Sequence, residues 1–482
     1  MLLSKSNYLL GLQCPKLLWT KVNAKERMPP IDEAIQYRFN QGHIIGDMAT
    51  KLFDGIKIPE SDFMGNIRKT EKVLKLGKTL FEPGIMVDNL YSRADILRPV
   101  GDGWDIIEVK STTRVKEQHI TDLAFQKFVY EKKGLMINKC FLMHLNNQYV
   151  KQGEIDVKEL FKIEDVTDDV KQISPTIEPN VKEMFAIISL PSPPNVELNR
   201  NCNSPYACPL TDDCWQLPKG NVFELYMDNV KGFELLENGI ASLKDIPDDY
   251  KLTEKQGIQR ECEKFKQIFV DKEKVKNWVS GLKYPLYFLD FETYNTAIPV
   301  YDGLRPYQRI PFQFSLHVIE KEGDTPKHIS YLAENGDPRM TFLVSLQNVL
   351  GDKGTIVAYN MSFEKGVIAE LAQMYPSFHS WAVDVSERFV DLIVPFRNFW
   401  YYSPRQQGSC SLKYVLPAVT GKSYEGMGIN NGEAASLAFV NMMHGEVSDE
   451  NVKQTRSDLE KYCGLDTEGM VWIIDELKKI VQ

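Results

Sequence analysis

Two acidic side chains interrupt an otherwise apolar run in the second half of the chain. The segment YFLDFETY at 287–294 contains Asp290 and Glu292, two residues apart. Residues at this spacing on a strand point to the same face, so both carboxylates would project together. Like charges side by side are unfavourable without a partner, and a divalent cation is a common partner for carboxylates. The pattern predicts a metal site, and a strand end with both acids in water is the alternative.

Later residues could complete this site. In GTIVAYNMSFEKG a predicted strand is followed by Asn360 and then by a helix that carries Glu364. The last helical pattern carries Tyr462 and Asp466 four residues apart, and hence on one face. Carboxylates from a strand and two helices could hold two ions about 4 Å apart, which stabilise the attacking and leaving oxygens of a displacement. Tyr462 would orient the attacking water and Asn360 would contact the substrate, whereas plain packing of Tyr462 is the alternative.

A second set of possible catalytic residues lies in the first half. YSRADIL, GDG and WDIIEVKST predict a β-hairpin that brings Asp95 beside Glu108 and Lys110. Asp95 and Glu108 would hold Mg²⁺ or Mn²⁺, and Lys110 would orient or deprotonate the attacking water. The following helix carries Gln126 and Tyr130 on one face, where they could position a nucleic-acid strand or a nucleotide. Solvated strand and helix faces are the alternatives.

Three of the eight cysteines are evenly spaced. Cys202, Cys208 and Cys214 have five residues between neighbours, in a segment rich in turn formers, CNSPYACPLTDDC. Three thiolates leave a tetrahedral site one ligand short, and Cys14 is the candidate for the fourth. An iron–sulfur cluster or a zinc ion would use such a set, and free cysteines in a loop are the alternative.

Composition limits the class of protein. With 482 residues, two or three domains are expected, and the net charge of −9 argues against wide, non-specific coating of nucleic acid. No segment approaches the roughly 18 apolar residues of a membrane span. The first residues are too polar for a secretory signal. We therefore expect a cytoplasmic protein without a membrane partner.

The sequence divides into three predicted parts. Residues 1–220 end with the cysteine segment, after the proline-rich stretch SLPSPPNVELNRN. Residues 221–280 are charged and mainly helical in pattern, loosely like a helix–hairpin–helix element, with a plain helical connector as the alternative. Residues 281–482 begin at the strand that contains Asp290.

The first part resembles a known nuclease family. Its motif residues resemble those of the iron–sulfur PD-(D/E)xK nucleases, which include RecB-like CRISPR-associated nucleases, and these residues are Asp95, Glu108, Lys110, Gln126 and Tyr130, framed by Cys14, Cys202, Cys208 and Cys214. The resemblance implies a restriction-endonuclease-like fold, a [4Fe–4S] cluster that holds it closed and a metal-dependent DNA nuclease site. One position departs from the pattern: Gly46 stands where these nucleases usually carry a metal-binding His, with His43 and Asp47 nearby.

The last part resembles a different nuclease family. Asp290, Glu292, Glu364, Tyr462 and Asp466 resemble the set of the DEDD 3′–5′ exonucleases, in the subfamily that contains a tyrosine, over residues 285–482. The resemblance implies a ribonuclease H-like fold. The second motif of that family usually supplies Asp, whereas here it supplies Glu364. Two other acids could approach the site, namely Asp384 and Asp391.

Together these features predict an α/β protein with a restriction-endonuclease-like domain, a helical connector and a ribonuclease H-like domain. This arrangement resembles bacterial proteins whose C-terminal domain was formerly of unknown function. The predicted function is that of a Mg²⁺- or Mn²⁺-dependent nuclease acting on single strands or ends of DNA, in repair or in defence against foreign DNA. An RNA 3′–5′ exonuclease and a nucleic-acid-binding scaffold with a decayed first site are the alternatives.

Overall fold

The computed structural model describes residues 1–59, 62–445 and 448–482. The described chain mixes helices with several sheets, which confirms the predicted α/β class. Within these ranges, no helix combines the length and the apolar character that crossing a membrane requires.

The chain forms two compact units, and this corrects the three predicted parts. The first unit contains Met1–Gln216 and Thr296–Gln308, and the second contains Leu217–Asn295 and Arg309–Gln482. The predicted boundary near residue 220 lies close to the observed one. Residues 221–280, however, belong to the second unit instead of forming a separate connector.

Packing and hydrogen bonds explain this division. Within the second unit, Cys262 and Ile258 pack in one apolar cluster with Phe399 and Tyr402, which lie far along the chain. Within the first unit, the segment 296–308 contributes Ala297 to an apolar cluster, and main-chain hydrogen bonds join its loop to Lys151. Contacts of this kind join residues that are far apart along the chain, so no local sequence pattern predicts them.

The strands of the first unit are β1 (Leu3–Ser4), β2 (Gly55–Lys57), β3 (Thr79–Phe81), β4 (Gly84–Val87), β5 (Leu90–Arg93), β6 (Ile96–Val100), β7 (Gly103–Lys110), β8 (Ile137–Leu145) and β9 (Phe161–Asp165). Its helices are α1 (Lys5–Gln13), α2 (Pro15–Asn23), α3 (Glu33–Thr50), α4 (Phe63–Val73), α5 (Glu117–Lys132), α6 (Val157–Leu160), α7 (Thr167–Ile188) and α8 (Thr211–Cys214).

The main sheet of the first unit has the strand order β2-β3-β6-β7-β8-β9, and a smaller sheet has the order β1-β5-β4. The predicted hairpin is confirmed as β6 and β7, which pair antiparallel around a turn where Gly101 has a φ of +58°. The strand predicted over YSRADIL is wrong in one respect, because it is split between β5 and β6, which belong to different sheets. Helix α5 crosses from β7 to the parallel strand β8 and buries Leu123, Phe125 and Val129 in the core.

The strands of the second unit are β10 (Phe269–Val270), β11 (Leu286–Tyr294), β12 (Ile310–Ile319), β13 (Lys327–Leu332), β14 (Thr355–Ala358), β15 (Phe389–Asp391) and β16 (Tyr401–Tyr402). Its helices are α9 (Asn229–Glu237), α10 (Glu254–Phe265), α11 (Lys272–Ser280), α12 (Arg339–Val349), α13 (Ser362–Met374), α14 (His379–Glu387), α15 (Val394–Arg397), α16 (Leu412–Thr420), α17 (Gly432–His444) and α18 (Asp449–Val481).

The main sheet of the second unit has the strand order β13-β12-β11-β14-β15. Strand β11 pairs antiparallel with β12 and parallel with β14, so it lies at the centre of the sheet as its apolar sequence predicts. The long helix α18 packs against this sheet and buries Leu459, Cys463, Met470 and Ile474. The central strand and this helix therefore meet at the positions predicted to carry catalytic residues.

Candidate metal centres

Four carboxylates of the second unit lie within electrostatic range of one another. Asp290 and Glu292 project from β11, Glu364 from the first turn of α13, and Asp466 from the middle of α18. Asp290 is half-buried, and the other three side chains are buried. The charge of Asp290 interacts with the charges of all three other acids. The structure thus brings together the acids that the sequence selected.

Burial makes this cluster unfavourable when all four groups are ionised. Burial raises the pKa of Glu292 to about 8, and repulsion from Asp466 adds to the shift. Burial raises the pKa of Glu364 to about 8 and that of Asp466 to about 6. The pKa of Asp290 is also well above its usual value, because of burial and then repulsion from Asp466 and Glu292. A bound cation would offset both effects, since its charge favours the ionised carboxylates.

One buried oxygen in the cluster lacks a hydrogen-bond donor. The Oε2 atom of Glu364 is buried without a partner among the described residues. Buried polar atoms are nearly always satisfied, so a lone pair left free in an acidic cluster calls for an explanation. Coordination of a divalent cation by Glu364 fits this observation, and oxygen ligands are those that Mg²⁺ and Mn²⁺ prefer.

Two tyrosines contact the carboxylate of Asp466. The hydroxyl of Tyr424 donates a hydrogen bond to Asp466 Oδ1, and the hydroxyl of Tyr462 also interacts with this carboxylate. Burial raises the pKa of both phenols far above the usual value, and the negative charge of Asp466 adds to the shift. Both groups therefore act as neutral hydrogen-bond donors at physiological pH. Sequence reasoning missed Tyr424 because no regular pattern around it relates it to Asp466.

Cys463 and Lys413 also approach the acids, and sequence reasoning did not select either. The Sγ atom of Cys463 lies 3.6 Å from Asp290 Oδ2, and the charge of Lys413 interacts with Asp466 and Glu292. A helical signal for Cys463 was available, because it precedes Asp466 by three residues and so shares its face. Lys413 lies on α16, and only folding brings it to the site.

Three other polar residues of this unit were selected from the sequence, namely Asn360, Asp384 and Asp391. Asn360 is exposed, with a φ of +67°, at the turn between β14 and α13. Its backbone N–H donates a 2.8 Å hydrogen bond to Asp391 Oδ1, so Asp391 supports the turn that precedes Glu364. Asp384 is exposed on α14. Glu364 thus lies in the buried cluster, whereas Asp384 faces solvent.

The first unit contains a separate set of charged residues around Glu108. Its Oε1 atom accepts hydrogen bonds from Lys5 Nζ at 2.7 Å and from Lys110 Nζ at 2.8 Å, and its Oε2 atom accepts one from Gln126 Nε2 at 2.7 Å. Asp122 Oδ2 accepts a second bond from Lys110, at 2.6 Å. The predicted Glu108–Lys110 pair is therefore part of a larger network.

Burial and neighbouring charges shift the pKa values of Glu108 and Asp95 in opposite directions. Burial alone would raise the pKa of Glu108, but the ammonium groups of Lys110 and Lys5 outweigh it and hold the pKa well below its usual value. Burial raises the pKa of Asp95 to about 7, with added repulsion from Glu108. Asp95 Oδ2 accepts the backbone N–H of Val109 at 2.6 Å, which places its carboxyl beside β7 as predicted.

Two members of the network were missed from the sequence. Asp122 precedes Gln126 by four residues on α5, a spacing that puts both on one face and could have identified it. Lys5 lies on α1, about a hundred residues before Glu108 along the chain, and no local pattern relates the two.

The positions of Gln126 and Tyr130 differ from the expected contact with a nucleic acid. Both side chains are fully buried. Gln126 donates hydrogen bonds to Glu108 and Asp122, whereas the hydroxyl of Tyr130 donates to the carbonyl of Pro83 and accepts the N–H of Ala94. Both side chains are therefore directed into the fold. Gln126 orients the two acids, and Tyr130 holds the main chain at Pro83 and Ala94.

The helix that lacks the expected histidine is α3. A side chain at Gly46 would meet no atom within 4 Å of its Cβ, so the position is open. His43 is exposed, and Asp47 is exposed and paired with Lys57. Neither residue is held in the network around Glu108 by any contact that the described chain shows.

The four predicted cysteines line a single pocket. Cys14, Cys202, Cys208 and Cys214 surround it together with Leu210 and Trp215. Cys14 lies at the N-terminal end of α2, where the N–H groups of Leu17 and Lys16 approach its sulfur. Lys16 Nζ lies 3.2 Å from Cys214 Sγ. Burial raises the pKa of the Cys14 thiol, and the N–H groups of Leu17 and Lys16 oppose that shift.

Comparisons with known proteins give relatives without an assigned activity. Residues 287–411 match a family model described as "Domain of unknown function (DUF2779)". An uncharacterized protein of Mycoplasma pneumoniae is 26% identical over 219 residues, 42% of this chain and 33% of that protein. An uncharacterized protein of Mycoplasma genitalium is 24% identical over 229 residues, 43% of this chain and 34% of that protein. The chain thus spans about a third of the length of these curated relatives.

Proposed function

We propose that the protein is a metal-dependent nuclease whose second unit hydrolyses phosphodiester bonds from a 3′ end. The observation that carries this proposal is the convergence of Asp290, Glu292, Glu364 and Asp466, from one strand and two helices, into a buried cluster. Such a cluster is unfavourable without cations and well suited to hold two of them. The strand order β13-β12-β11-β14-β15, with two antiparallel pairings followed by two parallel ones, supports a ribonuclease H-like fold.

Each residue has a distinct role in this proposal. Asp290, Glu292, Glu364 and Asp466 would bind Mg²⁺ or Mn²⁺. When bound, such ions lower the pKa of a water nucleophile and neutralise charge on the transferred phosphate. Tyr462 would turn its neutral hydroxyl from Asp466 to the attacking water and orient it. Tyr424 would keep Asp466 in place, since its hydroxyl donates to the same carboxylate.

The first unit would supply a second nuclease site of the PD-(D/E)xK type. Asp95 and Glu108 would hold the metal, and Lys110 would act on the attacking water. In the described structure Lys5 and Lys110 both pair with Glu108, so an ion must displace at least one ammonium group to reach this carboxylate. This competition predicts a weaker metal site than that of the second unit.

An iron–sulfur centre would stabilise the first unit. The pocket formed by Cys14, Cys202, Cys208 and Cys214 provides four thiol ligands, as [4Fe–4S] clusters require. It would join the helix pair at the beginning of the unit to the loop at its end. Zinc could use the same ligands, and elemental analysis distinguishes the two.

We propose DNA as the substrate, in repair or in defence against foreign DNA, and the cytoplasm as the location. A 3′–5′ exonuclease that acts on RNA is the second candidate, because a two-metal site acts on the phosphodiester group that DNA and RNA share. A nucleic-acid-binding scaffold is the third candidate. It is supported by the ion pairs of Glu108 with Lys5 and Lys110, which occupy the carboxylate that a metal ion would need.

Degradation of end-labelled single strands tests the proposal. The full chain is incubated with DNA or RNA in Mg²⁺, Mn²⁺ or chelator, next to Asp290→Asn. The control is Asp384→Asn, which makes the same change at an exposed position of the same unit. We expect metal-dependent release of nucleotides from DNA, lowered at least about 10²-fold by Asp290→Asn and unaffected by the control.

Other outcomes decide between the candidates. Degradation of RNA but not of DNA would show that RNA, instead of DNA, is the substrate. Binding of either polymer without hydrolysis would favour a scaffold. Equal activity of wild-type protein and Asp290→Asn would refute the assignment of the site.

A further inference from the structure

A thiol lies among the carboxylates of the second unit. Asp290, Glu292 and Cys463 each offer one donor atom, and these three atoms lie within 4.8 Å of one another. The Sγ atom of Cys463 is 3.6 Å from Asp290 Oδ2 and 3.9 Å from the backbone oxygen of Asp290. The thiol is buried, whereas Asp290 is only half-buried, so an ion could enter from the side of Asp290.

The distance between the thiol and the carboxylate of Asp290 fits a single tetrahedral ion. Zinc binds sulfur at about 2.3 Å and carboxylate oxygen at about 2.1 Å, which places the two donors about 3.6 Å apart in a tetrahedron. The distance between Cys463 Sγ and Asp290 Oδ2 has this value. A set of two carboxylates and one thiolate leaves the fourth position for water, as in zinc sites with three protein ligands.

We propose that Asp290, Glu292 and Cys463 form a binding site for Zn²⁺, and that zinc held there inhibits hydrolysis by the second unit. The first part stands on the donor geometry alone, and the second part rests on the proposed function. A thiolate ligand favours zinc over Mg²⁺ and Mn²⁺, which prefer sets made of oxygen donors. The alternative is a thiol that only donates a hydrogen bond to Asp290.

The chemistry of binding accounts for inhibition. Zn²⁺ replaces the thiol proton of Cys463, which is released to solvent, and the sulfur becomes a thiolate ligand. Asp290 and Glu292 would then both coordinate the tetrahedral zinc ion. The two-metal arrangement needs the same carboxylates for ions of higher coordination number, so both states cannot exist together.

Zinc stoichiometry tests the binding site. The full chain and its variants are dialysed against buffered free Zn²⁺, and bound zinc is measured by elemental analysis. Wild-type protein and the control Cys262→Ser, which changes a buried cysteine elsewhere in the same unit, should retain one more zinc than Cys463→Ser. Glu292→Gln removes a different ligand and should lose the same zinc, so the test does not depend on one variant folding. Equal stoichiometry in all four proteins would overturn the proposal.

Inhibition is measured separately on end-labelled DNA in Mn²⁺. The zinc concentration that halves the activity should be at least about tenfold higher for Cys463→Ser than for wild-type protein, each compared with its own zinc-free rate. An identical value in both proteins would refute inhibition through Cys463. Absence of hydrolysis by the wild-type protein would refute the proposed function, while the stoichiometry would still decide the zinc site.

Discussion

Replacing Glu364 with Gln should stabilise the metal-free second unit while removing its activity. The carboxyl of Glu364 is buried near Asp391, and one of its oxygens lacks a hydrogen-bond donor among the described residues. Glutamine has nearly the same shape but cannot ionise. The change therefore removes a carboxyl group whose ionisation is unfavourable in the folded protein, together with a metal ligand.

The pKa of Glu364 determines how much the substitution Glu364→Gln should stabilise the folded protein. Burial raises this pKa from 4.5 to about 8, so the folded protein binds more protons than the unfolded chain between these values. Stability in chelator must therefore fall as the pH rises from about 4.5 to about 8. At pH 7 the ionisation of Glu364 in the unfolded chain disfavours folding by about 3 kcal/mol, and by about 1 kcal/mol at pH 5. Burying an amide offsets about 1 kcal/mol, which leaves a net gain of about 2 kcal/mol at pH 7.

Thermal unfolding in chelator measures this difference. Scanning calorimetry of wild-type protein and Glu364→Gln at pH 5 and pH 7 compares the transition assigned to the second unit. The control is Glu387→Gln, which alters an exposed carboxylate in the same unit. We expect the midpoint of Glu364→Gln to exceed that of wild type at pH 7 and to approach it at pH 5. Saturating Mn²⁺ should raise the wild-type midpoint by binding to the folded state, and raise that of the variant much less.

Two results would refute this reasoning. The same pH dependence in wild type and Glu364→Gln would mean that the Glu364 carboxyl does not carry the raised pKa. Equal stabilisation of both proteins by Mn²⁺ would mean that Glu364 is not a metal ligand.

The other predictions address the remaining site residues. Tyr462→Phe should lower turnover about 10²-fold to 10³-fold at an unchanged half-activating Mn²⁺ concentration, since only a water-orienting hydroxyl is lost. Asp466→Asn should raise that concentration, and metal titration compares the two variants. Cys208→Ser should abolish the brown colour and iron content of anaerobically purified protein, because one thiolate ligand is lost; stoichiometric zinc without iron in the wild type would contradict the cluster. Asp290→Ala should abolish nucleotide release from 3′ ends, and Lys110→Ala should abolish a separate DNA cleavage. Cleavage that persists in full in Lys110→Ala would mark the first site as inactive.

Short motifs predicted much of both sites because each depends on local geometry. Asp290 and Glu292 share a face since strand residues alternate, and Tyr462 and Asp466 share a face since a helix repeats every 3.6 residues. The turn at Gly101 predicts the hairpin that carries Glu108. In each case the spacing along the chain is enough to fix the direction of the side chains.

The sequence did not identify residues that reach a site through the fold. Lys5 meets Glu108, Tyr424 meets Asp466 and Cys463 meets Asp290 across separations of 42 to 173 residues. Tyr130 shows the opposite case: the sequence placed it on the same helix face as Gln126, but that face is buried, so it holds main chain instead of substrate.

The sequence by itself determined the α/β class, the central strand of the second unit, the acids at its centre and the set of four cysteines. These follow from the alternation of apolar and polar residues and from regular spacing, both of which are local properties. Only the tertiary structure decided the composition of the two units, the pairing of Glu108 with two lysines and the hydrogen bond from Tyr424 to Asp466. The physical reason is that burial and contacts between distant residues set the charges and ligands of a site, and no local pattern encodes them.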